Sequence, residues 1–373
     1  MITCGEMPQL RRVCVVAWGG AAVSWELATP GRLVPSLATC AAFLLLATGC
    51  ALHIRRGLLN ELRRSQEIAG AAQRALLRPL PGRIDGLTLA AAQLSASRGA
   101  AVGGDLYEAV PTAYGVRVVI GDVRGHGLPA LGAAAAVLGA FREAAYDEVA
   151  LGGVLQRMER ALSRHVRDRA RSEHPASCPA EPESPSAEEF VTVLLLQIAP
   201  DGTLLALNCG HPWPYRIGPA PVPEHCAARN WGSAPDPAPQ TPAGLGSSAR
   251  PAFEDRGRAE PGRRAAQPGV DVQAVDGGEP LPPLGVVPLP VGVEPHPVGE
   301  LHPGETLFLH TDGAEEARDA AGAFFPLRSV LAEAPAPRTP ARLVAGVHAA
   351  LLRHTGGRLA DDVALLVLRN DRS

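Results

Sequence analysis

The alternation of apolar and polar stretches along the chain predicts an ordered series of strands and helices. Compact apolar runs predict β-strands at 87–92, 116–120, 191–198, 204–208, 306–310 and 363–368. Longer stretches rich in Ala and Leu predict helices at 128–148, 151–167, 327–334 and 341–354. Because the strands cluster as hairpins and the helices are grouped between them, we predict an α+β layered fold instead of a doubly wound parallel sheet.

The first 54 residues predict a membrane anchor. Segment 33–54 has no charged side chain and is about as long as the ~20 residues that a helix needs to cross the hydrocarbon core. Segment 13–29 is a weaker second candidate because it is shorter and contains Glu26, and a signal peptide is the competing interpretation for it. Arginine pairs at 11–12 and 55–56 flank the two segments, so the positive-inside rule places both flanks, and all that follows, in the cytoplasm.

Three further segments complete the predicted organisation. Leucines and alanines recur at helical spacing over 55–79 until Pro79 and Pro81 end the run, which predicts a helix that links the anchor to a domain at 80–370. Segments 168–189 and 218–279 are rich in Pro, Ala, Gly, Ser and Arg and lack apolar periodicity, which predicts disordered inserts. The second insert is interpreted either as an inert low-complexity expansion or as a docking segment.

Composition and charge narrow the function classes. A net charge of −3 and a pI near 6.4 give no electrostatic footprint for binding nucleic acid. The seven cysteines include no CxxC pair, so neither a disulfide framework nor a zinc site is indicated.

Short acidic motifs lie beside several of the predicted strands and indicate a metal site. Carboxylates placed repeatedly at strand ends are expected to gather at one edge of a sheet, where like charges raise each other's pKa. Such a cluster is favourable if divalent cations lie among the acids, and ligation by oxygen alone selects Mg²⁺ or Mn²⁺ over Zn²⁺. For Asp105 and Asp312 taken singly, a turn residue beside glycine is the alternative interpretation. The motifs are Gly103-Gly104-Asp105, Gly121-Asp122-Val123, Thr311-Asp312-Gly313 and Asp361-Asp362.

An ordered set of strings gives the chain a family resemblance over roughly 71–370. In this order the strings resemble the SpoIIE-like branch of the metal-dependent PPM-type serine/threonine phosphatases. The resemblance implies a β-sandwich flanked by helix pairs, in α-β-β-α layers, with metal ions at one edge. The strings are VGGDLYE (102–108), GDVRGHG (121–127), FVTVLLL (190–196), NCGHPWP (208–214), LPPLGV (281–286), LHPGETLFLHTDGAEEARD (301–319) and DDVALLVLR (361–369).

The resemblance also implies a role for each acid. Two Mn²⁺ or Mg²⁺ ions are expected, with Asp122 bridging both and with Asp105 and the carbonyl of Val123 on the first ion. Asp312 and Asp361 are expected to hold the second ion. Asp362 is interpreted as a group just outside the ligands, although the two acids of this pair are hard to separate by sequence. By this assignment the catalytic residues are Asp122, Asp105 and Asp312.

Three other positions bear on the predicted site. Ala364 stands where the family usually has Thr, which questions a local hydroxyl hydrogen bond. His126 is interpreted either as a general acid for the leaving alkoxide or as a residue that shapes the loop between Gly125 and Gly127. His211 is predicted to organise the loop that packs beside the site.

The implied function is that of a membrane-anchored protein serine/threonine phosphatase. The family's usual substrates are small phosphorylated regulatory proteins, notably antagonists of anti-sigma factors, and its equivalent of the linker helix often forms a homodimer interface or a switch. One alternative is a non-catalytic membrane signalling scaffold, which would be expected to have lost at least one of the acids. The other is a metal-dependent phosphohydrolase that acts on a small molecule.

Overall fold

The computed structural model describes residues 33–94, 103–125, 127–173, 189–219, 270–290 and 292–372, together with Ser24. The chain divides into two compact units, Met1–Ile68 and Ala69–Ser373. The segments predicted as a membrane helix (33–54) and a linker helix (55–79) belong to one helix, α1, Leu33–Leu76. The predicted helix at 13–29 lies outside the described residues, apart from Ser24.

The boundary of the second unit lies before the predicted start at residue 80. The last turns of α1 belong to this unit, since the side chains of Gln73, within the helix, and of Leu77, directly after it, are buried. The described strands and helices of the unit are β1 (Arg83–Ile84), β2 (Leu87–Leu94), β3 (Leu106–Thr112), β4 (Gly115–Val123), α2 (Leu128–Asp147), α3 (Leu151–Glu173), β5 (Val191–Ile198), β6 (Thr203–Cys209), β7 (Tyr215–Pro219), β8 (Val270–Ala274), β9 (His296–Glu300), β10 (Thr306–His310), α4 (Gly313–Glu316), α5 (Leu327–Ala332), α6 (Pro340–His354) and β11 (Val363–Asn370).

Two antiparallel sheets form the centre of the second unit. One has the strand order β1-β2-β11-β10-β7-β8 and the other has the order β3-β4-β5-β6-β9. One apolar core lies between the two sheets, a second joins α2 and α3 to the β3–β9 sheet, and a third joins α5 and α6 to the β1–β8 sheet. The predicted α-β-β-α layering is therefore confirmed.

The central strands read as continuous apolar runs because both of their faces are covered. In β4, Val116, Val118 and Ile120 contribute to the core between the sheets, whereas Val119 and Val123 contribute to the core beneath α2 and α3. This alternation with a period of two fixes the register of β4, since a shift by one residue would exchange the two faces.

A buried arginine fixes the end of α2. Arg117 in β4 is fully buried, and its guanidinium donates hydrogen bonds to the carbonyls of Ala145, Glu148 and Val149 at 2.5–2.9 Å. A cation suits this position because the last carbonyls of a helix carry partial negative charge and have no partner within the helix. The contact holds α2 against the sheet whose strand β4 carries Asp122.

Parts of both segments predicted as disordered inserts form regular secondary structure. Helix α3 continues to Glu173, so the first six residues of the 168–189 segment are helical. Gly218 and Pro219 belong to β7, and Val270–Ala274 form β8, which pairs with β7 along its whole length. The apolar pattern did not predict β8, because Val272 is the one buried side chain in this strand. Residues 174–188 and 220–269 lie outside the described part of the chain.

Among the helices whose side chains the structure describes throughout the span, one, α2, is long and apolar enough to cross a membrane, and half of that span is buried in the protein. The side chains of 33–40 and 43 in α1 lie outside the described part of the chain. The buried side chains of α2 pack in the core beneath the helix pair. Packing in a folded domain therefore accounts for the hydrophobic character of α2.

Candidate metal centre

The acidic motifs meet at one end of the two sheets. Asp105 directly precedes β3, and Asp122 is the last residue but one of β4. In the other sheet, Asp312 follows β10 by two residues, and the pair Asp361-Asp362 directly precedes β11. Since Leu106 lies opposite Gly121, and His310 lies opposite Leu365, each sheet brings its own acids together at the same end.

The acids are close enough to perturb one another's ionisation. Burial is the main cause that raises the pKa of Asp105, followed by repulsion from Asp122 and Asp362. Burial also raises the pKa of Asp122 to about 7, with further contributions from Asp312, Asp361 and Asp362. The pKa of Asp312 is raised by burial and, to a smaller extent, by Asp361. The five carboxylates thus form one electrostatic cluster, as the sequence predicted.

Glycine at three positions allows the backbone to approach the acids closely. A Cβ atom on Gly103 would collide with the carboxylate of Asp362, and one on Gly313 would collide with the Asp362 carbonyl. A Cβ atom on Gly104 would collide with the carbonyl oxygen of Val123 and lie 2.9 Å from Oδ1 of Asp122. Glycine is therefore required at these three positions, because no side chain fits there.

The two neighbouring acids before β11 face different parts of the cluster. Asp362 is buried and lies beside Gly103 and Asp105, whereas Asp361 is exposed and influences Asp122 and Asp312. The assignment of Asp361 to the same ion as Asp312 stays a prediction. Asp362 therefore lies closer to Asp105 than was expected for a group just outside the ligands.

Thr311 is a site residue whose role was missed in the sequence. Its hydroxyl accepts a hydrogen bond from the amide of Ala364 at 2.9 Å, and its side chain also bonds to Asp105 and lowers the pKa of that carboxyl. A hydroxyl is therefore present beside the position where Ala364 replaces the usual Thr.

His211 organises the backbone behind the acids. The amide and carbonyl of His211 form two hydrogen bonds of 2.8 Å with the side chain of Asn208, and its ring lies 3.1 Å from the Thr192 hydroxyl and 3.1 Å from the carbonyl of His310. Burial lowers the pKa of His211 to about 3, so the ring is neutral. These contacts agree with the predicted role in shaping the loop. His126 lies outside the described residues.

The end of α1 contacts the glycine loop directly. The side-chain amide of Gln73 donates a hydrogen bond of 3.4 Å to the carbonyl of Gly103. Arg142 in α2 donates to the carbonyl of Leu76 at 2.7 Å and forms an ion pair with Glu108 in β3 at 2.5 Å. Periodicity and motif spacing did not predict these contacts, which join residues 30 or more positions apart.

The donor set fits hard divalent cations. Oδ2 of Asp105 is buried without a hydrogen-bond partner, and a buried carboxylate oxygen in that position requires a cation or a proton. The carboxylates of the cluster and the Val123 carbonyl beside Gly104 offer oxygen, the ligand atom that Mg²⁺ and Mn²⁺ prefer. Among the described residues, no three His, Cys, Asp or Glu side chains converge closely enough to hold a metal ion as they stand.

A protein-family model and several solved structures are similar to this chain. Residues 112–230 and 265–371, more than half of the chain, match the family model described as stage II sporulation protein E (SpoIIE). No protein of curated function matches significantly by sequence.

Several solved structures are similar in fold. The SiaA-PP2C domain of Pseudomonas aeruginosa is 18% identical, covering 85% of this chain and 98% of that chain, with a TM-score of 0.50. The RsbU and RsbW domains of a Mycobacterium tuberculosis protein are 21% identical, covering 76% and 61%, with a TM-score of 0.46. The PP2C phosphatase domain and a regulatory-domain fragment of Bacillus subtilis SpoIIE are 13% identical, covering 76% and 63%, with a TM-score of 0.45. The chain thus spans less than two thirds of the length of the last two structures. Two other matching structures are complexes, one with magnesium and one with two manganese ions.

The close approach at Gly104 predicts the effect of a single methyl group. In Gly104→Ala the new Cβ must displace the Val123 carbonyl or the Asp122 carboxylate, so we expect the affinity for Mn²⁺ to fall by about 10- to 100-fold. Calorimetric titration with Mn²⁺ measures this. The matched control is Gly346→Ala in α6, where a Cβ meets nothing within 4 Å. Equal Mn²⁺ affinities in the two variants would refute the proposed proximity.

The repulsion within the cluster predicts how pH affects the metal-free protein. The pKa of Asp122 is about 7 in the folded state and about 3.9 in an unfolded chain. Between these values the folded state binds more protons, so the stability of the metal-free protein should rise as the pH falls from 8 to about 6. Asp122→Asn should raise the melting temperature of the metal-free protein at pH 8 and weaken its pH dependence. Glu294→Gln, which removes an exposed carboxylate outside the cluster, is the control, and a metal-free Asp122→Asn protein less stable than wild type at pH 8 would contradict the prediction.

Proposed function

Because the chain belongs to the SpoIIE family and is a protein phosphatase, we propose that it is a membrane-anchored, Mg²⁺- or Mn²⁺-dependent enzyme that dephosphorylates serine or threonine in a regulatory protein. The observation that carries this proposal is the meeting of five carboxylates at one end of the two sheets. Among the described residues, the causes that raise the pKa values of Asp105, Asp122 and Asp312 include no cation. The positive charge that this cluster needs is therefore expected from bound metal ions.

The proposed assignment of ligands follows the family resemblance. Asp122, whose pKa is affected by acids of the other sheet, is assigned to both ions. Asp105 and the Val123 carbonyl are assigned to the first ion, and Asp312 and Asp361 to the second. Asp362 faces the first ion's side of the cluster, beside Gly103. When bound, two such ions lower the pKa of a water shared between them and neutralise charge on a phosphoryl group.

The contribution of the protein's own residues is to hold the acids at fixed positions. Thr311 orients the Asp105 carboxylate through its hydroxyl, and the ladder between β4 and β5 fixes Asp122 opposite Thr192. The main-chain amide of Gly313 donates to Oδ1 of Asp312 at 2.8 Å, and the amide of Asp362 donates to Oδ1 of Asp361 at 2.8 Å. These hydrogen bonds limit the freedom of each carboxylate before any ligand arrives, which is the preorganisation that catalysis by positioned charges requires.

The alternatives differ from the proposal in observable ways. A scaffold that had lost catalysis would not need to keep the acids, and all five are present in one cluster. A small-molecule phosphohydrolase would be expected to hydrolyse nucleotides or sugar phosphates better than phosphopeptides. The substrate proposed is a phosphoserine or phosphothreonine in a regulatory protein, with an anti-sigma-factor antagonist as the family's usual example.

Phosphate release by the full-length protein tests the proposed chemistry. With Mn²⁺ present, wild type should release phosphate from phosphoserine or phosphothreonine peptides faster than from nucleotides or sugar phosphates. Asp122→Asn removes the charge assigned to both ions, so its turnover should fall by about a hundredfold or more while its circular dichroism is unchanged. Near wild-type turnover of this variant in saturating Mn²⁺ would overturn the ligand assignment. A preference for the small molecules would overturn the substrate class.

The membrane anchor is supported by the exposed side chains of α1. Leu44, Leu45 and Leu46 are 69%, 75% and 51% exposed, although consecutive residues of a helix point in different directions. A helix that is apolar all round requires an apolar environment on every side, and a bilayer provides one. The arginines at 55–56 favour a cytoplasmic position for the phosphatase unit. A homodimer through the second half of α1, where Leu58 and Leu59 are exposed, is the proposed oligomer, and the mass of the detergent-solubilised protein tests it.

Fractionation of cells tests the anchor. The full-length protein should remain in the membrane fraction after a carbonate wash, because segment 33–54 would span the hydrocarbon core. The triple variant Leu44→Arg, Leu45→Arg, Leu46→Arg should be released, because three charges at the centre of the segment oppose its insertion into the hydrocarbon core. Release of the wild type by carbonate would refute the anchor, and an active alkaline phosphatase fused after Arg78 would refute the cytoplasmic orientation.

A further inference from the structure

A groove of about 470 Å³ runs along α3, outside the metal centre. One wall is the exposed face of α3. The other is the loop at 285–290, which begins at the end of the LPPLGV string. The lining side chains that matter here are Arg160, Arg164, Arg167, Pro288, Leu289 and Pro290. None of these residues has a part in the metal site or in the three apolar cores, apart from Leu289, which packs at the margin of one core.

The groove carries an excess of positive charge. Arg160, Arg164 and Arg167 are all exposed, and among the described residues none of them forms an ion pair or a hydrogen bond. The acid that lines the same groove, Glu159, is occupied, since it accepts a hydrogen bond of 3.1 Å from the amide of Gly285 and another from Ser163. A second groove of about 560 Å³, on the α2 side of α3, shares Arg160 and Arg164 with the first. Arg160 and Arg164 therefore lie between the two grooves and line both of them.

The other wall is apolar. Pro288, Leu289 and Pro290 line the groove, and the same loop exposes Val286 and Val287 by 53% and 46%. Prolines keep an exposed segment extended at low entropic cost, so this wall offers a fixed apolar surface opposite the arginines. A groove with arginines on one wall and an apolar surface on the other fits a ligand that carries both carboxylates and apolar side chains.

A short series of contacts leads from the groove to the metal centre. The Cα atom of Phe190 lies beside Gly285, 3.6 Å from where a Cβ atom on that glycine would be. The main-chain amide of Arg124 donates to the carbonyl of Phe190 at 2.9 Å, and the guanidinium of Arg124 lies 5.3 Å from the centre of the Phe190 ring. Arg124 follows Asp122 by two residues, so the groove begins within three residue contacts of the central acid of the cluster.

We propose that this groove is the docking site for an acidic, partly apolar segment of the phosphorylated protein substrate, a segment distinct from the phosphorylated residue itself. The inference rests on the proposed phosphatase function and adds the chemistry by which the partner is recognised. Clusters of arginine recognise acidic motifs through charge-assisted hydrogen bonds, and complementary charge selects partners and speeds their encounter. The concave shape and the apolar wall favour a protein segment over a bilayer surface, to which a flat basic face would be suited.

Two synthetic phosphoserine peptides test the proposal on the full-length protein. Both have the same phosphorylated site, and one carries a flanking segment of Glu and Leu while the other carries Gln in place of Glu. Wild type should show about a tenfold higher kcat/KM for the acidic peptide, in line with several modest exposed ion pairs acting together, and the preference should shrink as salt is added. Arg160→Glu combined with Arg164→Glu should remove the preference through KM, with kcat unchanged.

Controls separate docking from catalysis and from folding. Wild type and the Arg160→Glu, Arg164→Glu variant should hydrolyse para-nitrophenyl phosphate, which has no docking segment, within about twofold of each other, since neither arginine is among the groups that perturb the acids. The matched variant, Arg342→Glu combined with Arg353→Glu, reverses two exposed charges on α6, on the opposite side of the layered fold, and should keep the wild-type preference.

Each contrary outcome has a distinct meaning. Equal kcat/KM for both peptides in wild type, with para-nitrophenyl phosphate hydrolysed, overturns the docking site and leaves the phosphatase function intact. No Mn²⁺-dependent hydrolysis of any phosphate ester overturns the proposed function itself. If the Arg160 and Arg164 reversal lowers binding to phosphatidylserine vesicles but not the peptide preference, the face is a membrane contact and the proposal is wrong. If it instead changes the mass of the protein in detergent, the face joins two copies of the chain, and the proposal is again wrong.

Discussion

Electrostatic repulsion among five carboxylates opposes the folded state of this protein, and the packing around the cluster must offset it. Asp105 is buried with one oxygen lacking a partner, and both burial and neighbouring charge raise its pKa and that of Asp122. Left to itself, such a cluster opposes folding, because each charge loses hydration and meets charges of the same sign. The apolar cores between and outside the sheets must overcome that cost. Divalent cations convert the same repulsion into attraction, so a site that is unfavourable without metal becomes a strong binding site with it.

The polar groups around the acids hold the cluster in place without neutralising it. Thr311 bonds to Asp105 and to the amide of Ala364, His211 ties two loops together as a neutral ring, and Gln73 bonds to the Gly103 carbonyl. None of these three supplies a positive charge. They fix backbone geometry, and the charge balance is left to the ions that we propose the acids bind. A cationic side chain in their place would compete with such ions.

Much of the architecture could be predicted because local pattern and global fold agree. The strands β4, β5 and β11 are buried on both faces, and their continuous apolar runs show in the sequence. The acids could be placed at one edge because each motif adjoins such a strand. By contrast, β8 was predicted as part of a disordered insert, because its alternation is weak and its partner β7 lies about 50 residues earlier. The roles of Gln73, Thr311 and Arg117 depend on contacts between distant segments, which periodicity and spacing do not report. The different environments of Asp361 and Asp362 follow from the approach of Gly103, a feature of the folded chain only.

Calorimetric titration of the wild-type protein with Mn²⁺, repeated in buffers of different ionisation enthalpy, tests the central claim most directly. The claim is that the acids share protons when metal is absent and exchange them for two ions when it is present. At a pH near 6.5, below the pKa of about 7 for Asp122, we predict two Mn²⁺ ions bound per chain. We also predict a buffer-dependent enthalpy that reports the release of about one proton or more, because metal binds the deprotonated carboxylates. Binding without proton release, or no binding at millimolar Mn²⁺, would contradict the account.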